Sequence, residues 1–454
     1  MTGILDAFRT SQKLNLQKLD IEARVELSET CGMWRTESEE RRAQVRLQAY
    51  RFELRPDRKQ RHQMRRFAGS CRFVFNRALA VQKELFELSG AHASYPDLCA
   101  VLVDWKQDKE TDWLNEAPSQ ALQQSLKNLD AAWARRLDSL KKLKQGRIKR
   151  AQLMGEPVFK KKEKHASFRY PQGTCLEQNN NRIWLPQLGW VRYRNSREVL
   201  GAVKNVTVSL AGGRWLVSIQ TEREVEAPVH RSATAVGIDM GVVRLATLSD
   251  GTIYGPRNSF RQHQAGLRKA QQCMSRKKKF SQNWKRAKAR LACLHIRVAN
   301  ARRDYLHKAS TAISKNHASV CVEDLRVSNM SSSAAGSRQS PGSKVRAKSG
   351  LNRSILDQGW AELRRQLEYK LAWNGGRLIA VPAINTSRTC PECGCTGQGN
   401  RKTQARFCCV ECGYEANADL VAAINVGRAG LARIACEVND GVSRQQQEPT
   451  SVAA

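Results

Sequence analysis

The sequence predicts a multidomain protein with α/β and all-β parts, on three observations. A period-two strand near the N-terminus lies far from any partner strand. A second series of apolar strands alternates with helices further on, and a cysteine quartet precedes the last helix. At 454 residues the chain can bury more than one core.

In residues 1–44, an N-terminal extension, no chemistry is legible. At VRLQAYRFELRP, Leu47, Ala49, Arg51 and Glu53 oppose Gln48, Tyr50, Phe52 and Leu54, so 45–57 holds a strand ending short of Pro56. Residues 58–170 are mainly helical, with Met64, Phe67, Cys71, Val74 and Ala78 three and four apart. The opposite face carries Arg65, Arg66, Arg72 and Arg77, and Lys160, Lys161 and Lys162 follow near its end. Such a face suits water or a phosphate backbone equally. Strands return over 171–230. Val206, Val208 and Leu210 alternate before Ala-Gly-Gly, and Trp215, Val217 and Ile219 alternate after it. The distance between the first strand and these later ones makes the helical segment an expected insertion into a β-barrel.

Residues 231–385 change character. AVGIDMGVVRLATLSDGTIYG reads as three short strands, with Ser249-Asp250-Gly251 as the second turn. One long helical region is expected from about Phe260 to Asn316. Leu291, Leu294, Val298, Ala301 and Tyr305 form a seam on it for another helix. Its exposed face carries Arg276, Lys277, Lys278, Lys279, Lys285 and Arg286. ASVCVEDL is a short buried strand, residues 328–350 a mobile loop. A helix with Leu356, Trp360, Leu363, Leu367 and Leu371 on one side ends at Gly375-Gly376, and RLIAV is another strand.

A meander, helix, strand, helix, strand and final helix is the order of an RNase H-like fold. Its first and fourth strands are neighbours and its last helix packs near them. That topology would gather Asp239, Glu323 and Asp419. Each alone has a plainer role, as a turn residue or, for Asp419, a helix N-cap. Together they are harder to dismiss, because a buried carboxylate is costly unless paired or metal-bound. Oxygen donors select Mg²⁺ or Mn²⁺ over Zn²⁺, and two such ions would bridge a phosphate. Asp324 faces away from whichever direction Glu323 takes, and the strand itself does not choose between them.

The span 386–415 holds Cys390-x2-Cys393, fifteen residues, then Cys409-x2-Cys412, the spacing of a zinc ribbon. Four thiolates close a tetrahedral Zn²⁺ site and leave no position for a substrate, so the metal is structural. Cys395 and Cys408 are surplus. Fourteen cysteines in a chain expected to stay in the cytoplasm fit thiolate coordination better than disulfides. The final helix is expected over 416–432 and a disordered tail over 433–454. No apolar run reaches eighteen residues, so no membrane span and no secretion are expected.

The formal charge of +35 calls for a polyanion, and nucleic acid is the commonest one. With only 6% aromatic residues, tracking of the backbone is favoured over recognition by base stacking.

Assembled, the chain resembles the TnpB (OrfB) proteins of insertion sequences, relatives of the type V CRISPR effectors. The likeness is carried by VGIDMGVVRLATLSDG, VCVEDLRVSNM, NTSRTCPECG and CGYEANADLVAAINVGRAG, with LQAYRFELRP, CRFVFNRALA and FRYPQG upstream. It covers about Val45 to Gly430. Met240 replaces a more usual aliphatic residue, and the N-terminal extension and surplus cysteines are further departures. None removes an acid or a metal ligand.

The resemblance implies RuvC-like catalytic acids at Asp239, Glu323 and Asp419, choosing Glu323 over Asp324, with two Mg²⁺ (or Mn²⁺). It implies one structural Zn²⁺ on Cys390, Cys393, Cys409 and Cys412. The partners implied are a transposon-derived guide RNA and double-stranded target DNA, cut as a monomer or a homodimer. The barrel and helical domain would read a short motif beside the target. Such proteins have long been described as transposases. A repressor without nuclease activity and a DNA strand-transferase are the alternatives; retention of all three acids weighs against the first.

Overall fold

The computed structural model describes residues 44–90, 92–162 and 166–445. The expectations for residues 1–43 and for the last nine residues lie outside them. Among the described residues, those of Arg46–Arg223 and from Pro228 onward form one compact unit, to which the ends of β1 and β7 at Gln44–Val45 and Glu224–Val225 do not belong. That unit contains both sheets that matter here.

Strand β1 (Gln44–Arg55) buries Tyr50, Phe52 and Leu54, the alternate residues of one face. Asp57 then starts helix α1 (Arg58–Ser89) through a capping box, accepting from the Gln60 backbone N–H while the Gln60 side chain bonds back. Its stripe of Met64, Phe67, Cys71, Val74 and Ala78 is buried. Helices α2 (Tyr95–Gln107) and α3 (Ser119–Lys144) complete the insertion.

Six strands follow: β2 (Ser167–Tyr170), β3 (Cys175–Glu177), β4 (Arg182–Leu185), β5 (Gly189–Tyr193), β6 (Ala202–Ala211) and β7 (Arg214–Val225). Their sheet runs β2-β6-β7-β1-β5-β4-β3, with β1 between strands made over a hundred residues later. The barrel expected here is not confirmed; the described strands pair as one seven-stranded sheet. Its outer strands, β2 and β3, are four and three residues long and do not pair with each other, so the hydrogen-bond circuit stays unclosed. Helices and sheet share one core, in which Phe67 of α1 meets Phe168 of β2 edge-on at 5.7 Å.

The second sheet is built from β8 (Ala235–Asp239), β9 (Ala246–Leu248), β10 (Ile253–Tyr254), β11 (Ser319–Glu323) and β12 (Arg377–Val381), in the order β10-β9-β8-β11-β12. Strands β8, β11 and β12 are parallel, and β9 and β10 are antiparallel. Buried on both faces, β11 reads as an unbroken Val-Cys-Val run.

The expected single helix after residue 260 is two, α4 (Ser259–Ser275) and α5 (Gln282–Asn316), joined by a turn at the basic run. The seam on α5 closes on α4, burying Leu267, Leu291 and Val298 together. The loop expected over 328–350 contains α6 (Val327–Met330) and the start of α7 (Val345–Gln358). Gly359, at φ 76°, then breaks the chain before α8 (Trp360–Asn374). The break leaves Leu356 exposed and turns Ile355 inward instead. Asp357 is buried here, and its carboxylate accepts from the backbone N–H of Phe260 at 2.9 Å, capping α4 from 97 residues away.

The cysteine segment forms a two-stranded ribbon, β13 (Arg406–Cys408) with β14 (Glu415–Asn417), and runs directly into α9 (Ala418–Gln445). This helix extends beyond residue 432, into the segment expected to be disordered. It packs on β8 and β11 through glycines. A Cβ on Gly237 would overlap the Ala423 carbonyl and the Gly427 N–H, and one on Gly430 would overlap the Cys321 sulfur.

Candidate active site and metal centre

Parallel pairing of β8 with β11 sets Ile238 opposite Val322, so the next residues, Asp239 and Glu323, leave the two strands side by side. Glu323 is buried, and its Oε1 accepts from the Thr386 hydroxyl at 2.6 Å. Asp324, on the other face, pairs with Arg364 at 2.6 Å in solvent. Asp419 enters from the first turn of α9. It is not the cap: Asn417 is, accepting from the Asp419 N–H at 3.1 Å, which leaves the Asp419 carboxylate available.

The three acids share one electrostatic environment. Burial first, then the charges of Glu323 and Asp419, push Asp239 up from 3.8 to about 7, against a smaller opposing pull from Arg401. Burial also raises Glu323, opposed by the Thr386 hydrogen bond and by Arg401. Arg401 lies 3.4 Å from Asp419 Oδ1, and Arg244 lies 4.0 Å from Oδ2. The carboxylates do not draw together into one tight cluster; among the described residues, the four cysteines alone form a group of three or more such side chains with ligand atoms all within 4.8 Å of one another.

Sequence reasoning missed Arg401, Arg244 and Thr386. Thr386 is in the NTSRTC stretch and Arg401 between the two cysteine pairs, so each was beside a motif without being part of its pattern. Asn425 of α9 donates to the backbone carbonyls of Thr386 and Thr389 at 2.8 and 2.7 Å. That ties the segment holding Glu323 to the helix holding Asp419.

Cys390, Cys393, Cys409 and Cys412 face one point. The Cys390–Cys412 sulfurs are 3.6 Å apart and the Cys393–Cys409 sulfurs 3.5 Å. A tetrahedral ion with Zn–S bonds of about 2.3 Å needs sulfur edges of roughly 3.8 Å, so the donor set fits Zn²⁺. Backbone N–H groups of Cys412 and Glu411 pull the Cys409 thiol below its ordinary value, while its neighbour Cys393 is raised. Cys408 lies in β13 beside Glu415, and Cys395 lies near Asn400, both outside the quartet. Cys409→Ser is expected to lower bound zinc, measured by atomic absorption, and the melting temperature together, because the ion's binding energy is folding energy. Undiminished zinc would assign the ligand to Cys408.

The basic residues divide. Arg65, Lys161, Lys162, Arg276, Lys278, Lys279, Lys285 and Arg286 are exposed, and Arg72 and Lys277 are half-buried. Arg66 is exposed but paired with Glu116. Two do not lie open: Arg77 sits 5.0 Å over the Trp105 ring, and Lys160 sits 3.6 Å over Phe75, where burial lowers its pKa. No helix among the described residues is long and apolar enough to cross a membrane.

Three family models match. OrfB_IS605, a probable transposase, spans 218–334, and a Cas12f1-like TNB domain spans 360–426. A helix-turn-helix domain spans 46–90, residues that here form β1 and the unbroken α1. The chain is 54% identical over 408 residues to "Putative RNA-guided DNA endonuclease InsQ" of Escherichia coli (strain K12), covering 90% of this chain and 98% of that one. It is 32% identical to "Putative RNA-guided DNA endonuclease" of Streptomyces pristinaespiralis, covering 88% and 92%. Among solved structures it is similar to a Cas12f1-sgRNA-target DNA complex at a TM-score of 0.49 and 12% identity, covering 85% of this chain and 99% of that one. With a 54% identical relative matched over nearly its whole length, the chain belongs to the TnpB (OrfB) family of IS605-type insertion sequences.

Proposed function

We propose that this chain is an RNA-guided DNA endonuclease whose phosphodiester-cleaving centre is Asp239, Glu323 and Asp419. The observation that carries it is the convergence of three acids from β8, β11 and the start of α9, where burial first, and the charges of Glu323 and Asp419 second, hold Asp239 near 7. The 54% identity to a relative named as such an enzyme supports the reading. In it, residues 231–385 with 416–432 are an RNase H-like, RuvC-type nuclease domain, interrupted by the ribbon of 386–415. The remainder, from the first strand to residue 230, serves target and guide recognition.

The donor set suits hard cations. Carboxylate oxygens that raise one another's proton affinity are relieved by a divalent ion, and oxygen ligands select Mg²⁺ or Mn²⁺. When bound, two such ions activate water and stabilise the leaving oxygen of an in-line displacement. The chain's own part is to hold the oxygens. Thr386 fixes the Glu323 carboxylate by its hydroxyl, and Asn417 fixes the backbone that carries Asp419. The Arg401 guanidinium, 3.4 Å from Asp419, adds positive charge where a phosphate would approach.

Guide RNA and target DNA are the partners in this reading, and the +35 charge supplies the counter-charge for both. Protein purified with its RNA is expected to linearise a plasmid bearing the matched sequence in Mg²⁺, and to leave it intact in EDTA. Joined transfer products would favour a strand-transferase, and binding without any cutting a repressor.

A further inference from the structure

The aromatic residues are too sparse for base stacking to dominate across the molecule, yet two of them meet at the basic turn between α4 and α5. The turn between α4 and α5 is RKKKFS, and at its tip Phe280 is 63% exposed. Phe280 also takes φ 68°, a left-handed conformation that glycine or asparagine adopts easily and an aromatic residue does not. A large apolar ring is thus held largely in water on an unfavourable backbone.

The ring is not isolated. Trp284, in the first turn of α5, lies 5.6 Å away and tilted 60° to it. Ser281 caps α5 by accepting from the Trp284 backbone N–H at 3.2 Å, which fixes the start of the helix that carries the indole. Lys279 stands 5.2 Å over Phe280, and Lys288 stands 4.9 Å over Trp284. The exposed face of α4 leading to this tip carries Arg261, Arg268, Lys269 and Arg276 along one groove.

We propose that Phe280 and Trp284 form a stacking platform for an unpaired base of bound RNA, with the α4 groove tracking the phosphates that lead to it. An exposed ring flanked by cations matches a nucleobase attached to a phosphate chain, and stacking is tolerant of base identity. A paired duplex does not fit, because each base face is already covered by its neighbour. Loops and bulges of RNA present uncovered bases permanently, whereas duplex DNA presents them only once melted. Of the preceding proposal this needs only that RNA is a partner.

The test is binding by the full chain, freed of nucleic acid, to a single-stranded 4-thiouridine-containing RNA at rising salt. Ultraviolet crosslinking should label the tryptic peptide Phe280–Lys285. Phe280→Gly is expected to weaken binding by roughly fivefold or more while leaving the salt slope unchanged, since a stacking contact releases no counterions. The same substitution should not lower the melting temperature, because glycine accepts the φ that phenylalanine strains against. Phe280→Trp should retain affinity.

Unaltered binding by Phe280→Gly, or a crosslink elsewhere, would overturn the platform. Tighter binding of oligo-dT, or equal binding of a blunt duplex, would overturn its assignment to RNA. Cutting is not measured, so a chain that binds in this way but cleaves no plasmid sinks the endonuclease proposal alone.

Discussion

Asp239→Asn should abolish plasmid cutting, by about a thousandfold or more, and at the same time make the metal-free protein more stable. The first effect follows because an amide neither carries the charge nor offers the oxygens that a paired-cation centre needs. The second follows from linkage. Folding raises the Asp239 pKa from 3.8 to about 7, so the folded state binds the extra proton between those limits. Stability contributed by that proton is complete below about pH 4 and is lost as pH rises through 7. Above pH 7 the ionised, half-buried side chain weighs against the fold, by at most about 4 kcal/mol before solvent screening, and the neutral amide removes that cost. Melting curves at pH 8 in EDTA should place the variant above the parent, with the gap narrowing toward pH 5. Cutting by the parent should fall as pH drops through 7 and recover with added Mg²⁺, because proton and cation compete for one carboxylate. A variant that melts lower than the parent at pH 8 would show that Asp239 is not electrostatically strained.

Gly237→Ala should damage both stability and cutting, although residue 237 carries no chemistry. Its Cβ would be driven into the Ala423 carbonyl and the Gly427 N–H, main-chain atoms that no rotamer change can move aside. Helix α9 must then lift from β8, at a penalty of about 3 kcal/mol. Asp419 rides on that helix, and a displacement near 1 Å is enough to reduce a rate by about a hundredfold. Differential scanning calorimetry and cutting rates measured well below the melting transition separate the two effects. Gly69→Ala is the control. It lies within α1, nothing stands within 4 Å of the added methyl, and helix propensity should make it neutral or slightly stabilising. A Gly237→Ala protein that cuts at the parental rate would mean that α9 does not position the site.

What could be read from the sequence was what local spacing encodes. The four sulfurs form a quartet because each pair is set by one short knuckle, and a knuckle is a matter of two or three residues. The strands bearing Asp239 and Glu323 declared themselves by unbroken apolar runs, and their adjacency followed from the order of elements. Arg401 could not be read in the same way. Its approach to Asp419 depends on how the ribbon folds back over the sheet, and nothing in GNRKTQ distinguishes that arginine from solvated ones. The pairing order of the first sheet was hidden for a related reason, since closure depends on whether two very short strands find each other across the structure. Lys160 misled because a lysine in a basic run looks exposed, whereas its stem lies against Phe75. The helix breaks at residues 276–281 and at Gly359 were masked by periodicity that continues on both sides of each turn.

The position of β1 bears on how the chain is born. This strand leaves the ribosome before the rest of its sheet, and its neighbours β5 and β7 begin only at Gly189 and Arg214. At about 5–20 residues per second, a nascent β1 waits on the order of ten seconds with both edges unpaired. During that interval α1 can form and cover one side of it, so the long insertion shelters the strand during synthesis. A gene rearranged to place β1 directly before β5 would remove the wait, and its product should fold with less loss to aggregation.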